Sequence, residues 1–257
     1  MTKVGIYCIF RVYTVVYGDQ AGELANVFHH WIWPLAILSI IAGTIGMLAS
    51  ANLRMLIGNL VIVSVGTLLI SFALGTPEAT AAGLLYLIHS TLVTAALFLI
   101  ADMLGKQRGK ALDYFVISRK TKHQALLGII FIIAAMAVSG LPPFSGFLGK
   151  LVIMQSVTLA DDRIWVWSVI LLSSLMAIIA LSRAGTTIFW RSTPSNDNDD
   201  SGKVSMWQLS GALLLLGASP LLSIFGAEVI EYTNNAAIQL HDIDYLIDIM
   251  KLDKGAG

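Results

Sequence analysis

The sequence predicts an all-α, polytopic membrane helix bundle of about seven transmembrane helices, one of them broken at Pro142-Pro143. Three observations carry that prediction. First, 56% of the 257 residues are hydrophobic and only 12% are charged, about half the ~25% charged fraction of soluble domains; the mean hydropathy is +0.78. Second, the apolar residues fall into runs close to the ~20 that one bilayer crossing requires. Third, one run is interrupted by V-S-G-L-P-P-F-S-G-F-L-G-K, residues 138–150. Its paired prolines lack backbone donors and cannot continue a regular helix.

The first span, residues 3–17, is short and contains Lys3 and Arg11. Met1-Thr2-Lys3-Val4-Gly5 leads straight into it without the small-residue cleavage site of a secretory signal. It reads as a span entered partway along, and a truncated chain is expected. A connector, residues 18–30, carries Asp19, Glu23, His29 and His30. The second span, 31–50, has Trp31 and Trp33 at its start, where indole rings favour the membrane interface. A tight link ending in Arg54 leads to the third span, 55–74, and Gly75-Thr76-Pro77-Glu78 is a turn. The fourth span, 79–104, holds His89 ten residues in. Residues 105–122 form the strongly basic loop, with Lys106, Arg108, Lys110, Arg119, Lys120 and Lys122 against Asp113. The positive-inside rule assigns it to the cytoplasm.

The apolar stretch 123–160 would measure ~57 Å as one helix, nearly twice a ~30 Å bilayer core. It is either two crossings or one long, broken crossing. As one crossing, it places Asp161 and Asp162 outside and Arg183, Arg191 and Lys203 inside; as two, it reverses them. The single broken crossing agrees with the charge rule and gives seven spans, the last two being 164–189 and 207–229. The acidic tail, with Glu228, Glu231, Asp242, Asp244 and Asp248, is then extracytoplasmic, and residues 243–252 read as a short interfacial helix.

Sixteen basic and sixteen acidic residues cancel, so nothing points to a nucleic-acid partner. The single cysteine, Cys8, cannot form an intrachain disulfide or a cysteine metal cluster. His29 and His30 lack partner ligands at metal spacing, and no metal site is expected. No nucleophile motif, phosphate loop, CxxC pair or haem-ligand pattern is present. No cofactor is expected, and transport is a better reading than catalysis.

The polar residues within the spans are the candidates for function. A lysine inside a span costs at least ~2.5 kcal/mol on insertion scales, so it requires a partner, a hydrated cavity or neutralisation. Amines removed from water give up protons more readily, which suits proton carriage. Lys150 lies seven residues past Pro143 and about ten from the outer end, too deep for easy snorkelling. From the residues alone, Lys3 reads equally as a flanking anchor or a functional group. His89 has a donor and an acceptor and suits a relay between lysines; the plain alternative is a histidine bonded to a neighbouring helix. Ser90, Thr91 and Thr94 extend a hydrogen-bonded path or cap carbonyls. Arg11 is expected to reach the outer surface, Arg54 to mark a helix end, and Asp102 to pair with Lys106 four residues on.

Four stretches then carry a resemblance: K-V-G-I-Y-C-I-F-R-V (3–12), N-L-R-M-L-I (52–57), L-L-Y-L-I-H-S-T-L-V-T-A-A-L-F-L-I-A-D (84–102) and G-L-P-P-F-S-G-F-L-G-K (140–150). In that order they resemble the antiporter-like membrane subunits shared by respiratory complex I, membrane hydrogenases and multisubunit Mrp-type cation/proton antiporters. The likeness is strongest to the D subunits of the Mrp (Pha, Mnh) antiporters of Gram-negative bacteria. The resemblance implies fourteen spans in two inverted five-helix repeats, of which this chain matches the last seven. Residues 1–17 would end the first repeat, 31–189 would be the second with 123–160 as its broken helix, and 205–229 the final span, followed by the tail 230–257. Lys3, His89 and Lys150 match the family's buried proton-path residues, and Arg54 matches a basic residue at a span start. Ser64 stands where complex I relatives often carry a second histidine, and Lys150 where some carry glutamate.

The implied function is a proton-translocating subunit of a Mrp-type Na+(K+)/H+ antiporter in a bacterial inner membrane, working with other subunits and with protons and monovalent cations. Lys3, His89 and Lys150 would carry the protons, with Arg54, Ser64, Ser90 and Ser145 in support and Gly140, Pro142, Pro143 and Gly146 forming the break. The alternatives are a proton-pumping subunit of complex I or a membrane hydrogenase, and a non-conducting scaffold. Neutralising Lys150 and His89 together would leave transport intact only in the scaffold.

Overall fold

The computed structural model describes residues 1–17, 29–119, 123–193 and 205–242 and consists almost wholly of helices. The expected interfacial helix at 243–252 and the charges Asp19, Glu23, Lys120, Lys122, Lys203, Asp244 and Asp248 lie outside the described residues. The helices are α1 (Thr2–Val16), α2 (His29–Ala49), α3 (Leu53–Ala73), α4 (Pro77–Arg108), α5 (Gln124–Ser139), α6 (Ser145–Gln155), α7 (Ala160–Gly185), α8 (Met206–Ile224) and α9 (Gly226–His241). Five segments are long and apolar enough to cross a membrane: Trp31–Ala49, Leu53–Ala73, Pro77–Ala111, Asp162–Trp190 and Met206–Ile224. A shorter apolar helix, Gln124–Ser139, stands beside them. The protein is an integral membrane helix bundle.

The helix starts follow local chemistry. The Asn52 side chain accepts from the Met55 amide at 2.7 Å, and Thr76 accepts from Ala79 at 3.2 Å with Pro77 in the first turn. Both satisfy amides that a helix start leaves unbonded. Lys106 and Arg108 close α4, where cations complement the helix dipole. Inside the lipid-exposed shell, α3 and α4 form the centre: 61% and 56% of their most apolar stretches are buried, against 22% for α2 and 17% for α8. Glycine permits the closest contact. A Cβ on Gly43 of α2 would lie 2.9 Å from Val63 Cγ2 of α3, the small-residue packing that brings membrane helices together.

The basic loop starts later than expected, because 105–108 are the last turn of α4. Arg108 is buried and organises the loop beyond it: its guanidinium donates to the carbonyls of Leu112, Tyr114 and Val116 and to the Ser118 hydroxyl. Ser118–Arg119 pairs in parallel with Ser192–Thr193.

The expected last span, 207–229, is corrected. Its helix ends at Ile224, and a second helix, α9, begins at Gly226 and packs chiefly on α4. Gly226, Thr233, Ala237 and Leu240 form its buried face, a helical spacing hidden among the acidic residues that made this stretch read as a tail.

The break itself is well defined. Gly140 ends α5 at φ 83°; its amide donates to Ala137 O and the Leu141 amide to Met136 O. That is a Schellman ending, which glycine accommodates because it carries no Cβ. The Pro142-Pro143 bond is cis, and α6 restarts at Ser145. Helices α5 and α6 thus flank the break expected at Pro142-Pro143, and α7 begins at Ala160.

Candidate functional site

The break creates the site. In an unbroken helix the Ser139 carbonyl would accept from residue 143, but Pro143 has no N–H to give. Lys150, from the second half of the broken element, takes that place: its Nζ donates to Ser139 O at 2.9 Å and to Ser174 Oγ of α7 at 2.9 Å. Lys150 is buried, and two of its three donors are thereby satisfied. Gly140 makes room for this, since a Cβ there would stand 3.1 Å from Lys150 Cδ.

His89 sits on α4 against the same break. Its Nδ1 lies 2.7 Å from Ser145 Oγ of α6 and 3.3 Å from Ser219 Oγ of α8, and the two hydroxyls are 3.0 Å apart. The Ala137 carbonyl of α5 is a further partner of the ring. Gly146 allows the close approach, because a Cβ there would run into Ala137 O and His89 Nε2. One turn on, a Cβ at Gly149 would lie 3.2 Å from Tyr86 Cα, so α6 packs flush against α4.

Lys3 completes the row. It is buried and donates to Ser90 Oγ, the residue after His89. Between Ser90 and Lys150 lies an enclosed cavity of about 10 Å³, lined by Ser64, Tyr86, His89, Ser90, Thr94 and Lys150 among others. Its size is about the room one water needs. The Ser64 hydroxyl donates back to Val61 O at 2.7 Å.

Lys3, Ser64, His89, Ser90, Ser145 and Lys150 are therefore gathered at one place, and Arg54 is not. Arg54 lies instead beside the C-terminal end of α4. Its amide and guanidinium donate to Asp113 at 2.9 and 3.3 Å, and its guanidinium also meets Asp102 at 3.1 Å. Asp102 pairs with Lys106 at 2.7 Å, as the i,i+4 spacing predicts, and accepts from Gln208 of α8 at 2.7 Å. Arg11 also departs from expectation. One of its guanidinium nitrogens is buried without a partner among the described residues, and the side chain lines a groove of about 350 Å³ between α1, α4 and α9. Helix α9, unforeseen in the sequence, forms one wall of that groove.

Three polar partners are not evident from the sequence: Ser174, Ser219 and the Ser139 carbonyl. The available signals are the mid-span hydroxyls in S-S (173–174) and S-P (219–220), and the proline four residues after Ser139. Among the described residues, no group of three or more His, Cys, Asp or Glu side chains could hold a metal ion. Chemically, the site is two amines and an imidazole bonded to hydroxyls and carbonyls. Neither lysine is within ion-pair distance of a described carboxylate, so no fixed anion among them holds its proton in place.

Comparison with known proteins follows the same lines. Residues 1–179 match the family described as NADH:quinone oxidoreductase/Mrp antiporter, TM. The chain is 30% identical over 268 aligned residues to the D subunit of a probable K(+)/H(+) antiporter of Rhizobium meliloti strain 1021, covering 93% of this chain and 49% of that one. It is 35% identical over 190 residues to the D subunit of a Na(+)/H(+) antiporter of Bacillus subtilis strain 168, covering 74% and 37%. In fold it is similar to a chain of the Mrp complex from Dietzia sp. DQ12-45-1b, with a TM-score of 0.75 at 24% identity over 93% of this chain and 51% of that one. The chain spans about half or less of the length of these relatives.

Proposed function

The chain belongs to the NADH:quinone oxidoreductase/Mrp antiporter transmembrane family, and we propose that it is the proton-carrying second half of the D subunit of a Mrp-type Na+(K+)/H+ antiporter. Lys3, His89 and Lys150 pass protons along a polar row within the bilayer, and Ser64, Ser90 and Ser145 support it. The observation that carries this reading is Lys150, a buried amine held at a helix break by a carbonyl and a hydroxyl. An amine bonded in this way can lose its proton without stranding a buried carboxylate.

In this reading residues 1–17 end a first repeat, 31–189 form a second, and α8 is the final span. The end of α4 and the loop after it face the cytoplasm, α9 begins on the outer side, and the membrane is a bacterial inner membrane. The partners are the other subunits of the antiporter, and the ions exchanged are protons and monovalent cations. A proton-pumping subunit of a redox complex is the second reading, since the matching family includes both kinds. Neighbouring genes for quinone- or iron–sulfur-binding subunits would favour it. The direct test is Lys150→Ala in the natural full-length chain within its complex. Loss of cation/proton exchange in membrane vesicles is expected, and unchanged exchange would overturn the proposal.

A further inference from the structure

In the proposed reading helix α8 lies outside both repeats that carry the lysines, yet it sends one hydroxyl against His89 between them. Ser219 is 1% exposed, as is His89, and Ser145 is fully buried. The three polar atoms, Nδ1 of His89 and the two Oγ atoms, form a closed triangle with sides of 2.7, 3.0 and 3.3 Å. Buried hydroxyls rotate about their C–O bonds and both donate and accept.

We propose that Ser219 is a positioning residue for His89, and that with Ser145 it forms a hydroxyl pair letting Nδ1 accept or donate a proton while the ring stays in place. The inference rests on the reading of His89 as a proton carrier.

The hydrogens balance in both states. With Nδ1 unprotonated, the Ser145 hydroxyl donates to it and the Ser219 hydroxyl donates to Ser145 Oγ. When Nδ1 carries a proton, its N–H donates to Ser145 Oγ, the Ser145 hydroxyl turns to Ser219 Oγ, and the Ser219 hydroxyl needs an acceptor of its own. Helix α8 holds one that a turn of the Ser219 side chain would bring into reach. Pro220 continues α8 but has no N–H for the Leu216 carbonyl, and that carbonyl lies three residues before Ser219, where helical serine hydroxyls commonly bond. The imidazole ring stays in place while the Ser219 side chain turns, and no covalent bond forms or breaks apart from those to the proton.

Around the ring, the titratable groups are Lys3 from α1, Lys150 from α6 and Tyr86 from α4. Helices α5 and α8 present a carbonyl and a hydroxyl. Removing the Ser219 hydroxyl leaves the unprotonated arrangement with its bond to Nδ1 but deprives the protonated one of its second acceptor. The protonated state therefore loses more.

The test uses the natural full-length chain in its assembled complex, with Ser219→Ala and Ser219→Thr compared at equal amounts of complex. Ser219→Ala is expected to move the acid limb of the exchange–pH profile to lower pH by about 0.5 to 1 pH unit, the equivalent of one net hydrogen bond. Ser219→Thr, which keeps a hydroxyl, is expected to restore it. An unmoved profile in Ser219→Ala, or a lower yield of complex with an unmoved profile, would overturn the inference. So would a shift that Ser219→Thr fails to restore. His89→Ala separates this from failure of the function itself: if exchange survives that change, the relay reading falls; if exchange is lost and Ser219→Ala keeps the natural profile, only the role of Ser219 falls.

Discussion

The C-terminal end and the middle of α4 hold their charges in opposite ways. Near the C-terminus, Arg54 and Lys106 meet Asp102 and Asp113, with Gln208 joining from α8. At mid-helix, Lys3 and Lys150 meet hydroxyls and a carbonyl, with no carboxylate among the described residues in reach. The terminal cluster sets each cation against a carboxylate. The two mid-helix amines rest on neutral partners instead. Both clusters are polar and both link several helices, but only the first pairs its cations with carboxylates among the described residues, a difference the proposed proton path draws on.

The largest expected effect is at Lys150. Lys150→Ala should lower exchange at least about tenfold, the consequence of losing an interaction worth roughly 1.4 kcal/mol or more in the rate-limiting state, with the complex still assembled on a native gel. Near-normal exchange would break the comparison at its functional end. Gly146→Ala comes next. The added Cβ meets His89 and the Ala137 carbonyl, and overpacking of this kind costs ~1–3 kcal/mol. A lower thermal midpoint of the purified complex together with weaker exchange is expected.

Asp113→Asn tests the other cluster. Weakening the bonds to Arg54 should cost ~1–3 kcal/mol of stability, by analogy with other buried hydrogen bonds to charged groups, and lower the thermal midpoint. Exchange per assembled complex should stay within about twofold, the span of roughly 0.4 kcal/mol in a rate. A much larger loss would make the terminal cluster part of the path. The smallest effect on the lysine site is expected from Ser174→Ala, because Lys150 keeps the Ser139 carbonyl. Exchange should fall severalfold, by less than in Lys150→Ala, in keeping with one lost bond of ~1 kcal/mol. A loss equal to that of Lys150→Ala would mean that Ser174 is itself part of the path.

Much of this is legible in residue order. The prolines at 142 and 143 forecast the break because proline's missing N–H acts locally, and the depth of Lys150 forecasts that it needs polar partners because burying an amine is costly wherever they come from. The i,i+4 pair of Asp102 and Lys106 is readable for the same reason: a helix brings those positions together. Arg54 joins the supporting residues only by resemblance, and its actual partners, 48 and 59 residues away, cannot be inferred from its neighbours. Helix α9 escapes notice because its acidic residues obscure a short buried face.

The sequence by itself determined the membrane, most of the spans, the break and the depth of Lys150, because hydropathy and proline geometry depend on near neighbours. Only the tertiary structure decided what Lys3, Lys150 and His89 touch. Ser90, Ser174 and Ser219 lie 87, 24 and 130 residues from Lys3, Lys150 and His89 respectively. A hydroxyl in a membrane helix has the same local signature whether it caps its own backbone or completes a neighbour's site, so packing alone made these three into partners.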